Sequence, residues 1–551
     1  MKFLTEKKLF VREASGLVRE VSTLKATFFN LASLSGNVVL WAIIFLPLYG
    51  GAAIGGLFSP IATAHVLTGA LLMIMALIFV ILVSVMPRSG GDYVFTSRIM
   101  HPFAGWIETW MLIWANIAII GFELSMINLS SQAFLTGMGA ISMGGSWGAA
   151  AGWLSVQMNQ IVLGTFICLL IALMSLARPR TFHTILSSLC VIAILAALVM
   201  AAGTFSIDTT VFSANLEKFA GTSMEKIISA AETNALSFAV VPLTVFPSMI
   251  AFALWDLIGF QYSGYMAGEL KGNLKRNALI SMTMCIVLYL GVIWITLVTT
   301  VTTRFGYNFV QSWGYLYWFA PSEAPLNGVP PTSALYGLIG RPDLWPVWLF
   351  VTLGGCVLMF SLCPAYLVMM SRLVYAWSMD RMVPEWFSKL NARTHSPIRV
   401  YLLVLLGGWV FYAFSVYGLS VLSLAWYSVL LSALTWILPG LNALLLPFRR
   451  KDLYESAPWK KKIASIPIVS IIGLVWLFII IPIYVVSYLQ PILTSILQTP
   501  SQELWSYSTS SGLTLVTIVT LIGVALYFIS KWYNKQRGID VSLIFKTIPP
   551  E

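Results

Sequence analysis

The chain has 551 residues, 58% of them hydrophobic and 10% charged, with a mean hydropathy of +0.86. Those values exclude a soluble globular protein and place it among integral membrane proteins. Its net charge of +11 could suggest a nucleic-acid partner, but the positions of the charges exclude one. With the amino terminus inside, 28 of the 32 Lys and Arg fall in alternate inner segments, leaving only Lys218, Lys226, Arg304 and Arg341 elsewhere. That asymmetry is a topology signal, and it fits an even number of spans with both termini cytoplasmic.

Residues 1 to 27 mix bases and acids and lack the apolar core of a signal peptide. They read as a cytoplasmic segment with a short surface helix. Crossing ~30 Å of hydrocarbon takes about 20 apolar residues. Twelve stretches qualify, near 28–54, 61–86, 103–135, 154–176, 182–203, 246–268, 278–303, 345–379, 399–417, 419–447, 463–489 and 511–530. The expected fold is therefore all-α and integral to the membrane.

The first span carries Asn30, Ser33, Ser35, Gly36 and Asn37 on its inner half, too polar for lipid contact. The second ends at PRSGGDYVF, a Pro and Gly turn, and HPFAGWIETW opens a third span with Glu123 in its middle. An extracellular segment, 204–245, includes the amphipathic MEKIISAAE. The sixth span, AFALWDLIGFQYSGYMAGE at 251–269, holds Asp256 followed by Gly259, Gly264 and Gly268. Glycine weakens helix, so this reads as a helix interrupted in mid-membrane. Half-helix ends at that depth are what carriers use to bind solutes. The segment from 304 to 344 is long enough to act as a lid. SRLVYAWSMDRMVPEWF follows the eighth span, and RRKDLYESAPWKKK is the most basic inner loop. Helices 11 and 12, with that loop, occupy 448–532, and 533–551 form a cytoplasmic tail. The first and sixth spans lie five apart and share mid-span polarity and glycine, as an inverted repeat of five spans predicts.

A carboxylate at the centre of a membrane helix costs roughly 2.5–3.5 kcal/mol, so Asp256 and Glu123 are proton-coupling candidates, weighed against protonated packing devices. The sequence is read as placing no basic residue in a span core to pair with them, which favours a cationic or zwitterionic solute, or a proton. Glu108, near the inner end of span three, is expected to face the basic loops, and Glu269 to pair with a loop base such as Arg372. The five cysteines lie in spans and imply no disulfides. Four scattered histidines (His65, His101, His183, His395) show no metal-ligand spacing, so neither metal, cofactor nor enzyme activity is expected.

Four motifs carry a resemblance to the amino acid, polyamine and organocation transporters. PRSGGDYVF with HPFAGWIETW resembles that family's turn and its approach to the third span. GFQYSGYMAGELKGNLKRN resembles the centre and exit of its sixth, SRLVYAWSMDRMVPEWF the end of its eighth, and SLSGNVV its first-span glycine motif. The resemblance implies the leucine-transporter fold: an inverted 5+5 repeat over 28–203 and 246–447, plus two carboxyl-terminal helices. It implies that Ser33 to Val38, with Ser35, Gly36 and Asn37, form an unwound segment receiving a substrate carboxylate. Trp255 falls where an aromatic gate is common, Ala253 to Gly259 would offer carbonyls to a substrate amine, and Gln261 lies where an acid or amide is usual. The chain departs from the pattern at Val38, at Gly268 and Glu269, and in span five, where Leu189, Cys190 or Val191 stands at the place of a lysine found in some proton-coupled members.

The leading expectation is a secondary transporter of amino acids or related amines in the cell membrane, proton-coupled, with sodium disfavoured because Ser361 is followed by Leu362 and Cys363 instead of a second hydroxyl. The alternatives are a polyamine or organic-cation carrier, a substrate exchanger, a channel, or a transport-like nutrient sensor.

Overall fold

Hydrocarbon offers no partner to a backbone N–H or C=O, so apolar runs of this length close their hydrogen bonds internally and become helices. In the computed structural model, residues 21–34, 60–236, 238, 246–296, 304–387, 389–391, 397–419, 421–457, 459–497, 503–541 and 545 are described. Among them the main helices are α1 (Thr23–Ala32), α2 (Pro60–Val85), α3 (Gly91–Ile99), α4 (Pro102–Ile141), α5 (Gln157–Ser175), α6 (Pro179–Phe205), α7 (Phe246–Asp256) and α8 (Leu274–Thr296). They continue with α9 (Trp345–Met379), α10 (Ile398–Tyr417), α11 (Val421–Leu431), α12 (Ala433–Arg449), α13 (Ile468–Leu497) and α14 (Glu503–Gln536). The two described strands form one hairpin, Lys462–Ile463 with Ile466–Pro467.

Ten segments are long and apolar enough to cross a membrane among the described residues, and each coincides with an expected span. The first and sixth expected spans are not among these ten. Most of the first span lies outside the described residues, although α1 begins at Thr23, ahead of the expected start, because the Ser22 hydroxyl caps the amide of Lys25. The sixth is not one continuous helix: α7 stops at Asp256 and short 3-10 turns follow to Glu269.

The core forms around α4. Its apolar window is 89% buried against 22% for the last span, so α4 is the inner helix and α14 a peripheral one. The helices α9, α10 and α11 pack on α4, while α1, α2 and α8 form a second group joined to α6 and α7.

The segments expected on one side of the membrane meet at one end of the bundle. Val21 pairs with Glu269 and Lys271 through backbone bonds of 3.1 and 2.9 Å, and Lys25 Nζ donates to the Arg180 carbonyl at 3.2 Å. Arg450 reaches the Arg98 carbonyl at 3.3 Å, and Arg98 grips Asp380. At the other end, helices within 204–236 and 304–344 lean on each other: Asn215 donates to the Ile339 carbonyl at 2.8 Å, and the Tyr315 hydroxyl to that of Asn234 at 2.7 Å. The first of these ends, rich in Lys and Arg, is called the basic end below.

Candidate functional site

Asp256 is the last residue of α7, and the helix cannot continue because Gly259 takes φ +112°, a left-handed conformation that only glycine adopts cheaply. A Cβ there would also sit 2.5 Å from the Ser33 carbonyl oxygen. The end of α1 and the break after α7 therefore touch backbone to backbone at Ser33 and Gly259. Polar bonds fix the register between them. The Asn30 carboxamide accepts from the Ser263 amide at 2.7 Å and donates to its hydroxyl at 3.0 Å, and that hydroxyl lies 3.1 Å from Ser281 on α8. Tyr262 donates to Asn116 of α4 at 2.9 Å.

Asp256 is 5% exposed and does not stand alone. Its Oδ2 lies 2.9 Å from Nε2 of His65 on α2, itself 2% exposed. This corrects the expectation that no basic residue in a span could pair with it. Metal-ligand spacing carries no sign of this pair, since His65 stands alone in its span. A depth count could have found it: His65 and Asp256 lie early in two spans expected to run in the same direction, and α2 packs on α7. Asp256 Oδ1, buried, has no hydrogen-bond partner among the described residues.

Trp255 is fully buried, edge-on to Phe122 at 5.1 Å and tilted against Phe252 at 5.0 Å. Gln261 is fully buried, and its Oε1 accepts from the Gly259 amide at 3.3 Å, inside the break itself. The carbonyls expected to be offered are largely engaged in turns: those of Ala253, Trp255, Leu257 and Gly259 accept backbone amides, and that of Ile258 accepts from Tyr366 at 3.5 Å. A carbonyl keeps a second lone pair, so these remain able to accept another donor. Ser33 is buried with its hydroxyl on the Phe29 carbonyl at 2.8 Å. Ser35, Gly36, Asn37 and Val38 lie outside the described residues.

Glu123 is buried one residue beyond Phe122, within electrostatic reach of Cys363 and Tyr366. The structure thus gives the two intramembrane acids different surroundings. Glu108 departs from its expected place. It is fully buried and accepts from Thr96 at 2.5 Å, and Thr96 in turn accepts from Asn442 at 2.7 Å, so it faces α3 and α12 and not the basic loops. Glu269 does pair with Arg372, through bonds of 2.6 and 3.1 Å.

Between the break and the basic end, the PRSGG turn closes on the exit of the sixth segment. The Gly90 amide donates to the Tyr265 carbonyl at 3.0 Å, and Gly91 leaves room for the Tyr265 ring, which an added Cβ would strike at 2.5 Å. The Tyr265 hydroxyl donates to Asp92, whose carboxyl burial pushes up to about 7, against the lowering effect of that bond. This acid was not singled out from sequence, since it stands in a turn where a solvated charge is the ordinary expectation.

The helix broken at a buried acid is thus clamped to the end of another and closed by a glycine turn. The chain matches the family described as amino acid permease over residues 26–524. It belongs to the amino acid permease family. No curated protein matches it. The match runs from α1 into α14 and includes the break, the turn and the ion pairs of the basic end. The permease is a multi-pass membrane protein of a transporter family, and its cargo is a small molecule.

Proposed function

We propose that this permease is a secondary active transporter that carries amino acids or related amines across the cytoplasmic membrane by alternating access, with proton coupling at Asp256. The observation that carries the reading is the Asp256 and His65 pair at the end of α7. A buried carboxylate with one oxygen on an imidazole and the other without a hydrogen bond can take up and release a proton, or receive the ammonium of a solute, without breaking the scaffold. His65 lets the pair share a proton and so hold the carboxylate while the site is empty. Trp255 covers the break and Gln261 holds it from within, so opening requires the aromatic packing around Trp255 to move. Substrate recognition falls to the break itself: carbonyls from Ala253 to Gly259 for an amine, and the segment Ser33, Ser35, Gly36 and Asn37 for a carboxylate.

The meeting of α1 and α7 at Ser33 and Gly259 supports an inverted 5+5 arrangement with twelve spans, since the first and sixth elements of such a repeat converge on one site. The crowding of basic residues at one end supports placing both termini in the cytoplasm. A carrier of polyamines or other organic cations is the second reading, favoured by the burial of two span acids, Asp256 and Glu123.

The test is uptake of labelled amino acids and polyamines into sodium-free proteoliposomes, with and without an inward proton gradient. Accumulation of one solute only under the gradient, lost in Asp256→Asn, is the expected result. Accumulation that needs sodium or an internal counter-solute would replace proton symport by sodium coupling or exchange, and binding without flux would make the protein a sensor.

A further inference from the structure

Away from the break, a groove of about 1000 Å³ opens between α4, α9, α10 and α14 at the basic end. We propose that it binds a bilayer phospholipid with an anionic headgroup, its acyl chain along the tryptophan wall and its phosphate between Arg381 and Arg537.

The wall is chemically restricted. Trp106, Trp110 and Trp377 all line it, with ring centroids of Trp106 and Trp377 4.5 Å apart. Their indole N–H groups are already spent: Trp106 donates to the Gly523 carbonyl at 2.8 Å, Trp110 to that of Val519 at 2.8 Å, and Trp377 to the Thr109 hydroxyl at 3.0 Å. Those rings can offer an occupant only apolar contact. The opposite wall is apolar too, and Leu403 and Ile529 are 50% and 57% exposed in the protein alone. An apolar groove this wide on the side of a membrane bundle opens to lipid, because water in it would meet few polar groups.

The mouth is different. Arg381 and Arg537 border it, with Glu385 as the one carboxylate, so the mouth keeps an excess positive charge. Elsewhere the structure pairs arginines closely: Arg98 with Asp380, Arg341 with Asp343, Arg372 with Glu269 and Arg450 with Asp452. Arg381 and Arg537 make no ion pair among the described residues. The Arg381 carbonyl accepts from Asn534 at 2.8 Å, which pins α14 to the end of α9, and the Arg537 guanidinium rests 4.4 Å over the Tyr533 ring. Two guanidiniums at the mouth of an apolar slot, that of Arg537 held over an aromatic ring, match a phosphate on an acyl chain, and basic pockets between spans at the inner leaflet are where anionic headgroups bind.

Native mass spectrometry of the full chain, released from detergent with equal amounts of phosphatidylglycerol and phosphatidylcholine, tests the site. The expected result is retention of phosphatidylglycerol over phosphatidylcholine by roughly thirtyfold, which is what two interfacial arginines supply. The double variant Arg381→Gln with Arg537→Gln should lose that preference, and the Lys pair at the same positions should keep it. Should the glutamine variant not fold, photoreactive phosphatidylglycerol on the unaltered protein should label peptides of α9 and α14. Equal retention of both lipids, labelling elsewhere, preferential retention of a sterol, or a second copy of the chain covering the face would each overturn the proposal.

Discussion

Among the buried carboxylates of this permease, the pair at the basic end and the one at the break have opposite kinds of partner. At the basic end, Glu269 and Asp380 each sit in the fork of an arginine, with every contact between 2.6 and 3.1 Å. Such pairs have fixed geometry and little freedom to exchange partners, which suits a latch between the sixth segment, α3 and the end of α9. At the break, Asp256 has an imidazole on one oxygen and no hydrogen bond on the other. Glu269 and Asp380 meet a full charge at the basic end, and Asp256 meets an imidazole at the break, where the proposed chemistry occurs. The contrast teaches that burial alone does not mark a functional acid in a membrane protein; the kind of partner does.

The sharpest way to break the comparison is to remove one member of each kind. Arg372→Met leaves Glu269 buried without its charge partner and should cost about 3–5 kcal/mol, read as a large fall in the thermal midpoint of the purified protein, with Glu269→Leu added to Arg372→Met restoring most of it. Asp256→Asn should leave the midpoint nearly unchanged while removing gradient-driven uptake. If the two variants fall equally in stability, the acid at the break is a structural pair like the others. Gly259→Ala comes next. Its positive φ and the approach to Ser33 should cost about 1–3 kcal/mol and abolish uptake together, since the same contact brings the two broken elements into register. A third variant separates the levels by pH. Asp92, beneath Tyr265 and near Tyr262 and Glu108, titrates at about 7 when folded, well above about 3.9 for a free aspartate. The folded state therefore holds a proton that the unfolded chain has lost, so stability should fall as pH rises from about 4 to about 7, by up to about 1.4 kcal/mol per unit, and level off above. In Asp92→Asn that slope should flatten; an unchanged slope would assign it to another group.

Much of this was legible in the chain. Ten spans are visible from hydropathy because length and apolarity alone decide them, and the break in the sixth because Asp256 and three glycines stand where a lipid-facing helix has neither. Glu269 with Arg372 could be anticipated, since both lie at the same inner level. What sequence could not supply was partnership across distant segments. His65 is one residue in an apolar helix, and nothing local marks it as the neighbour of an acid 191 positions away. Glu108 looked like an interfacial charge because its depth was judged along the helix alone, whereas α3 and α12 fold over it. Asp92 was hidden for the same reason, in a turn whose glycines let the Tyr265 ring cover it.

The finest test of the comparison lies in the polar seam between α1 and the sixth segment, where the two residues of one contact carry unequal weight. Ser263→Ala removes the hydroxyl bonds to Asn30 and Ser281 but keeps the 2.7 Å bond from the Ser263 amide to the Asn30 carboxamide. Its cost should be about 1 kcal/mol, the ordinary net worth of a buried hydrogen bond. Asn30→Ala removes both bonds at once and strands a buried backbone amide at the start of the 3-10 turn Tyr262–Tyr265, so it should cost more, up to about 3 kcal/mol. The two variants differ in which side of the seam loses its polar group. Thermal midpoints in that order would locate the register of α1 in the carboxamide; the reverse order would place it in the serine hydroxyls that tie the sixth segment to α8.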